Sequence, residues 1–445
     1  MNDINTLKNI FLRASKSAGR DAKIELFSAS AVSRSASWSD RKPEDYAISE
    51  SEGIGLRIIR SGRMGFSFTS NFDDDSIGRM IGSADDNLKF IAPDAHFKIA
   101  DPSPFNSSLD VFDETFGSMP ADSIMKILRE MEASALSGKK IKSVYRADYS
   151  ESSGRTVIIN SNGVSIISSG TVFSCGMTCT AEEAGEVQNG GEYSVKRKFS
   201  ELDFAAVTRE AVKNAAGLLG AKKIKTGNYP VVLNQGTGCE FLGIISSSFS
   251  AFAVQKNISL LKGRRNQKVF SGIMNIIDDG TLPGGAATSS FDDEGTPTAR
   301  TTLVKNGTLE NYLYDLYTAG VDGVKTTGNA ARGYSGTPAP GTSNIFIAPG
   351  AISFKELLTG MGNGLYVTET MGMHNADPVT GEFSVGINGF MVENGEIKYP
   401  FHGVTAAGNI MELFNGVAGL ADDLKFYGST GSPSILISGV SVAGN

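Results

Sequence analysis

The 445-residue sequence has few of the residue types on which disulfide frameworks and histidine metal sites depend. It contains three cysteines, Cys175, Cys179 and Cys239, and three histidines, His96, His374 and His402. A low, odd number of cysteines in a long chain excludes a disulfide framework and is typical of a reducing compartment. No two histidines have the spacing of ligands on one helix face, and no C-x-x-C pair occurs. We therefore do not expect this chain to build a histidine-based zinc site alone.

Long apolar runs and an excess of positive charge are also absent. No segment approaches the roughly 20 apolar residues that span a bilayer, and residues 1–23 lack the apolar core of a signal peptide. The net charge of −7 argues against a nucleic-acid partner, because phosphate binding needs a concentrated positive surface. The basic residues at 262–268 are interpreted as a solvated loop. We expect a cytoplasmic protein that binds neither membranes nor nucleic acids.

The first half of the sequence alternates between helical and strand patterns. Apolar residues recur at helical spacing in four segments, residues 3–18, 74–91, 121–137 and 201–219. Short alternating segments between them predict strands, including 142–149, 155–160, 163–168 and 169–181, with a turn at residues 161–163. The order of one helix, several strands and one helix occurs twice. This pattern indicates an internal duplication.

A polar segment at residues 220–228 is predicted to be a linker, and the pattern changes after it. One helix is predicted near residues 237–252, followed by many short β segments, among them residues 312–314. Asn306-Gly307 and Asn394-Gly395 are strong hairpin signals. The predicted fold class is therefore α+β. An α+β domain at residues 1–225, with a two-fold repeat at 1–115 and 116–225, precedes a largely antiparallel, β-rich domain at 226–445.

Consecutive acidic residues form another candidate site. Asp292, Asp293 and Glu294 precede a turn and have the chemistry to bind a cation or to cap a loop, although a solvated turn is the favoured interpretation. Asp278 and Asp279, which precede a glycine, are similarly interpreted as a hairpin turn. Cys175 and Cys179 lie on one face of a predicted strand and are interpreted as small core residues.

Several long blocks resemble the TldD/PmbA family, across nearly the whole chain. These blocks are residues 52–57, 62–66, 291–315, 327–332, 377–386 and 403–409. The resemblance implies a protein that works in pairs. One branch of the family carries an H-E-x-x-x-H motif on a helix and a further cysteine ligand near the C-terminus, which together hold a catalytic zinc ion. The other branch, TldE or PmbA, lacks these ligands and serves as the partner.

The degenerate motif places this sequence in the branch without zinc ligands. Cys239 stands where the first histidine is expected, Glu240 is retained, and Ile244 replaces the second histidine. Residues 426–433 contain no cysteine. We therefore expect no catalytic residue and no metal in this chain, with zinc only in a catalytic partner. Glu240 is interpreted as an acid at a helix start, where the helix dipole favours it.

Three functions are compatible with these patterns. The first is a non-catalytic partner subunit of a TldD/TldE-type metalloprotease that acts on unfolded peptides, either as a heterodimer with a zinc-bearing paralogue or as a homo-oligomer. The second is an autonomous hydrolase that uses the cluster of Asp292, Asp293 and Glu294. The third is a protein-binding modulator of DNA gyrase without enzymatic activity. A second family member with an intact zinc motif in the same genome would separate the first two.

Overall fold

The computed structural model describes residues 3–105 and 109–444, and its first half is built around one six-stranded antiparallel sheet. The strands are β1 Lys23–Ser39, β2 Lys42–Arg60, β3 Arg63–Thr69, β4 Ile141–Asn160, β5 Ser165–Glu183 and β6 Glu186–Lys196. The helices are α1 Ile4–Ala18, α2 Asp74–Asn87, α3 Ala121–Leu136 and α4 Phe204–Gly217. The ends of all four helices lie within four residues of the ends of the segments that helical spacing predicts.

The internal duplication is confirmed by the order of elements and by the sheet. One helix, three strands and one helix occur twice, and the strand order β3-β2-β1-β4-β5-β6 places β1 and β4 side by side at the centre. Each repeat has its own apolar core, one around Ile10, Leu56 and Ile81 and the other around Leu128 and Phe173. Cys175 and Cys179 are buried in the second core, so the prediction that they are core residues is confirmed.

The strands of this sheet are longer than predicted. Residues 142–149 and 155–160 belong to one strand, β4, and the next two predicted strands are both part of β5. The serines and the glycine at 150–154 suggested a break, but they stay in register with β5, where Gly154 faces Gly170. Strand β6 was not predicted, because its glycines and polar residues give little alternating hydrophobicity.

The second half contains most of the shorter strands. They are β7 Gly227–Leu233, β8 Ile276–Asp279, β9 Arg300–Lys305, β10 Thr308–Leu309, β11 Ala330–Ala331, β12 Ala339–Pro340, β13 Ile345–Ile347, β14 Gly364–Met371, β15 Glu382–Glu393, β16 Glu396–Asn409, β17 Val417–Leu420, β18 Lys425–Tyr427, β19 Thr430–Ser432 and β20 Ile435–Ala443. The helices are α5 Gln235–Ser246, α6 Ala251–Gln255, α7 Leu316–Asp322, α8 Phe354–Met361 and α9 Ile410–Asn415.

Two further six-stranded sheets organise this half. One has the order β10-β9-β8-β13-β19-β18 and the other β16-β15-β14-β7-β20-β17. Strand β16 also pairs with β20, so five strands of the latter sheet form a closed ring. The pairs β13–β19 and β7–β14 are parallel and the remaining neighbours are antiparallel. The predicted largely antiparallel, β-rich half is confirmed.

Both predicted asparagine–glycine hairpins are present. Asn306-Gly307 and Asn394-Gly395 connect neighbouring strands with φ values of 48° and 77°, and of 55° and 76°. Two consecutive positive φ values are the geometry for which an asparagine–glycine pair is favoured. These local signals therefore predicted the connections correctly.

Other local predictions in this half were wrong. The helix expected near 237–252 ends at Ser246 and is followed by a 3₁₀ turn and the short helix α6, and α7 to α9 were not predicted. Residues 312–314 are not a strand, although Leu313 makes an isolated bridge with Ser250. Asp278 and Asp279 end strand β8 and are buried. Ser343, Asn329 and Thr281 donate hydrogen bonds to their carboxylates, which compensates for the lost solvation. Within the described residues, no helix combines the length and apolar character needed to cross a bilayer.

Candidate functional site

The degenerate motif lies on α5, directly after the buried end of β7. Val231, Val232 and Leu233 are apolar and buried, and Asn234 then begins the helix, since its side chain accepts a hydrogen bond from the backbone N–H of Thr237 (2.8 Å). An asparagine at this position satisfies a backbone donor that the first turn leaves free. The motif helix is thereby fixed to the end of β7, one of the five strands of the closed ring.

Cys239 is buried at the contact between α5 and the hairpin of β18 and β19. Its thiol donates a hydrogen bond to the carbonyl oxygen of Thr430 (3.3 Å). Burial raises the pKa of Cys239 to about 12, so the sulfur is a thiol near neutral pH. A neutral thiol that already has an acceptor is poorly suited to bind a metal ion, since the thiolate is the ligand form.

The hairpin that contains residues 426–433 packs closely against the motif helix. A Cβ atom on Gly238 would lie 2.3 Å from the Oγ atom of Ser432, so a side chain at position 238 would push the two elements apart. The two segments in which the resemblance implies zinc ligands are therefore neighbours in this chain. Neither of them supplies the expected ligand.

Ile244 and Glu240 occupy different environments on α5. Ile244 is half-buried and packs against the apolar core of the second half. Glu240 is exposed to a cavity and accepts a hydrogen bond from the hydroxyl of Thr370. The protein around the cavity desolvates Glu240 and raises its pKa, and the negative charge of Glu369 adds to the effect. Glu240 lies in the second turn of α5, so its interpretation as an acid at the helix start was wrong.

The main cavity, which contains Glu240, has a volume of about 1140 Å³ and lies between the two halves of the chain. The first half contributes residues of β5, β6 and α4, and the second half contributes residues of α5, β14, β15 and β18. Five aromatic side chains line it, those of Tyr193, Phe354, Tyr366, Phe390 and Tyr427. This volume exceeds the upper end, about 1,000 Å³, of typical pockets for small molecules.

The residues at the motif do not fit a zinc ion. A catalytic zinc site has three protein ligands, whereas here the Cys239 thiol is hydrogen-bonded, Ile244 has no donor atom and residues 426–433 contain no cysteine or histidine. Over residues 3–105 and 109–444, no group of three or more histidine, cysteine, aspartate and glutamate side chains has an arrangement that could hold a metal ion.

The acidic cluster lies in a turn, but the interpretation of that turn as solvated was wrong. Asp292 and Glu294 are buried, and neither lines the main cavity. Asp292 accepts backbone hydrogen bonds from Glu294, Thr296 and Ala330 at 2.9–3.0 Å, and Asp293 accepts one from Arg332 (2.8 Å). Burial raises the pKa of Asp292 to about 8, and the charge of Glu294 adds to the increase.

Glu294 belongs to a buried ion network that joins the two halves. Arg57 on β2 contacts Glu294 (3.1 Å) and Glu25 on β1 (2.9 Å), and Arg332 also contacts Glu25 (2.6 Å). The guanidinium of Arg332 lies 4.2 Å from the ring centroid of Phe27. Burial raises the pKa of Glu294 to about 7, against the opposing charge of Arg57. Glu294 of the acidic cluster therefore helps to hold the halves of the chain together.

Sequence reasoning did not identify the arginines of this network as partners of the acidic cluster. A signal was present, because Arg57 interrupts the apolar segment Gly55-Leu-Arg-Ile-Ile and would be buried if that segment were a core strand. Arg57 and Arg332 also each end a block of the family resemblance. The pairing with Glu294 itself could not be read from the sequence, because the residues lie far apart along the chain.

Models of one protein family match most of the chain. The PmbA/TldA metallopeptidase domain 1 matches residues 24–88, the central domain matches 114–219, and the C-terminal domain matches 226–444. The chain belongs to the TldD/PmbA family. The three matches cover nearly all of β1 to β3, all of β4 to β6 and all strands from β7 onward, so this family assignment covers the three six-stranded sheets.

Individual TldD/PmbA relatives extend over nearly the same length. The chain is 31% identical to an uncharacterised protein, MJ0231, of Methanocaldococcus jannaschii, over 87% of this chain and 89% of the relative. It is 26% identical to the metalloprotease PmbA of Escherichia coli O157:H7, over 90% of this chain and 88% of the relative. The crystal structure of TM0727 from Thermotoga maritima, described as a proposed modulator of a DNA gyrase, superposes with a TM-score of 0.90 at 26% identity, over 99% of both chains.

Proposed function

We propose that this chain is the non-catalytic partner subunit of a TldD/TldE-type metalloprotease complex that acts on unfolded peptides. The observation that carries the proposal is the presence of Ile244, a side chain without a donor atom that packs against the core, where the motif has its second histidine. The environment of Cys239 also supports the proposal, because its thiol is buried and already hydrogen-bonded to the carbonyl oxygen of Thr430. A chain of a metallopeptidase family that lacks zinc ligands contributes binding surface and not metal chemistry.

The main cavity supports a role in peptide binding. Its volume and aromatic lining suit a polypeptide segment better than a small metabolite. Two strands that border it, β6 and β18, are the last strands of their sheets, and the edge of a sheet is where an extended peptide can add as a further strand. Glu240 faces the same space, so the residue retained from the motif is placed to contact a bound peptide.

The acidic cluster does not favour an autonomous hydrolase. The carboxylates of Asp292 and Glu294 are buried and hydrogen-bonded to the backbone or to Arg57, and the main cavity does not include them. A general acid or base must reach the substrate within hydrogen-bond distance or through one water molecule. The geometry supports a structural role for these residues.

Co-expression with a family member from the same genome that carries an intact H-E-x-x-x-H motif tests the proposal. We expect the two chains to co-purify as a complex that cleaves an unfolded peptide, whereas this chain alone does not cleave it. As a matched control, the motif glutamate of the zinc-bearing chain is changed to glutamine, which should preserve the complex and abolish cleavage. If this chain only self-associates and the zinc-bearing chain is fully active without it, the proposal is wrong.

A further inference from the structure

A second cavity of about 710 Å³ adjoins the main cavity, and the two meet at an ion pair. Glu192 and Tyr193 on β6, Glu210 on α4 and Lys425 on β18 line both spaces. The edge strands β6 and β18 therefore border one continuous groove between the halves of the chain. We refer to the two joined cavities as the groove.

The ammonium group of Lys425 occupies a cation site inside this groove. It lies 2.9 Å from the Oε2 atom of Glu192, 2.9 Å from the hydroxyl of Tyr427 and 4.5 Å from the centroid of the Tyr427 ring. A carboxylate beside an aromatic ring is an arrangement that binds cations. The side chain of Glu192 is only 11% exposed, whereas that of Lys425 is 43% exposed, so the site is fixed and its occupant is accessible.

The charge of the main cavity favours the binding of a positively charged ligand. Among the described residues that line it, six carry a carboxyl group and two, Lys213 and Lys425, carry an ammonium group. Both ammonium groups are already engaged, Lys213 with Glu210 (2.8 Å) and Lys425 with Glu192. Concave surfaces lined by one sign of charge concentrate ligands of the opposite sign. The groove thus has an excess of negative charge that a positively charged occupant would neutralise.

We propose that the groove binds an extended peptide segment rich in lysine or arginine, and that Lys425 is a tethered occupant which a basic side chain of the peptide replaces at Glu192. The proposal deepens the function proposed above, since it names the class of peptide. The size of the groove suits a peptide, and charge complementarity between groove and occupant supplies the selectivity. The aromatic lining contacts the stems of long basic side chains.

Equilibrium binding of three labelled peptides to the purified chain tests this. The peptides share a glycine, serine and asparagine backbone and differ in carrying lysine, norleucine or glutamate at the same positions. We expect the lysine peptide to bind about tenfold or more tightly than the norleucine peptide, and its advantage to shrink as salt rises. Equal binding, or a preference for the norleucine or glutamate peptide, would assign the groove to another class of occupant and overturn the proposal.

Two variants test the role of Lys425 and of its site. Lys425→Met removes the tethered competitor and should tighten binding of the lysine peptide by about tenfold, whereas Glu192→Gln should weaken it by about as much. Neither should change binding of the norleucine peptide. Weaker binding of the lysine peptide to Lys425→Met would show that Lys425 is part of the binding surface and contradict its displacement.

The matched control is the exposed ion pair between Lys140 and Glu183 (2.7 Å), which lines neither cavity. Lys140→Met and Glu183→Gln make the same chemical changes and should leave binding of all three peptides unaltered. The binding assay requires neither zinc nor a second subunit. A failure of charge selectivity is therefore distinguishable from a failure of the partner-subunit proposal, which is measured by complex formation and cleavage.

Discussion

The thiol of Cys239 donates a hydrogen bond to the carbonyl oxygen of Thr430 at 3.3 Å. This contact joins the motif helix α5 to the hairpin of β18 and β19, which in the zinc-bearing branch is implied to carry the cysteine ligand. The close approach of Gly238 to Ser432 keeps the two elements together. The two segments in which the family resemblance implies zinc ligands are thus in direct contact in this chain.

Rebuilding the motif should not restore activity. The double variant Cys239→His, Ile244→His places two histidines five residues apart on α5. Five residues correspond to about 500° of rotation on a helix, so the two side chains point about 140° apart. Helix α5 continues past Ile244 to Ser246, so the helix does not turn the second imidazole towards the first. We expect micromolar or weaker zinc binding by calorimetry and no peptidase activity.

A third change, Thr430→Cys, places a thiol on the hairpin beside the motif helix and should tighten zinc binding relative to the double variant. Ser432→Cys is not equivalent, because Ser432 is fully buried against Gly238. Peptide cleavage by the double variant well above that of the unmodified chain would show that the hairpin is not the missing ligand site.

Removing Arg332 should destabilise the protein strongly. Its side chain is 2% exposed and contacts Glu25, so Arg332→Met leaves a buried carboxylate with one fewer positive partner. Breaking a buried pair in this way typically costs about 3–5 kcal/mol. The measurement is the shift of the urea unfolding midpoint. The matched control is Arg13→Met, whose pair with Asp74 is exposed and should contribute below about 1 kcal/mol. Equal shifts in the two variants would contradict the network.

The buried acids should make stability fall as pH rises. The pKa of Glu294 is raised to about 7 and that of Asp292 to about 8, whereas unfolded carboxyl groups titrate near pH 4. The folded state therefore binds more protons than the unfolded state in this window. The stabilisation is fully present below about pH 4 and is lost as pH rises towards 8. Urea unfolding midpoints across this range should show the decline.

Asp292→Asn should flatten this pH dependence, because the asparagine does not titrate. The control is Asp377→Asn, in an exposed turn where backbone hydrogen bonds lower the pKa of the aspartate, so its effect should be confined to acidic pH. A slope between pH 6 and 8 that is the same in Asp292→Asn as in the unmodified chain would exclude Asp292 as its source.

Local sequence patterns predicted those helices and turns that depend on interactions between residues close together in the sequence. Helix α1 follows from apolar residues on one face, and the turn at Asn394-Gly395 follows from the backbone freedom of those residues. The duplication was visible because each repeat buries its two helices against the sheet, which requires the same order of apolar patterns twice. Strand β6 was missed because its glycines and polar residues give little alternating hydrophobicity. Helices α7 to α9 were missed because they have only six to eight residues, which is too short for helical spacing to recur.

The candidate site could be predicted only in part. The positions Cys239, Glu240 and Ile244 came from the resemblance, and the structure adds the contact of Cys239 with Thr430 and the cavity in front of Glu240. The burial of Asp292 and Glu294 depends on Arg57 and on backbone donors of residues 330 and 316, which are distant in sequence. No local pattern identifies such partners, so an acidic run looked like a solvated turn.

The central claim, that this chain supplies no zinc site to the complex, is tested most directly by measuring zinc per protein chain. The isolated chain and its complex with a zinc-bearing family member would be dialysed against the same zinc-buffered solution and analysed for metal, with peptide cleavage measured in parallel. We predict no stoichiometric zinc in the isolated chain, one equivalent per complex, and no change in that value for Cys239→Ala. One equivalent of tightly held zinc in the isolated chain, lost in Cys239→Ala, would contradict the account.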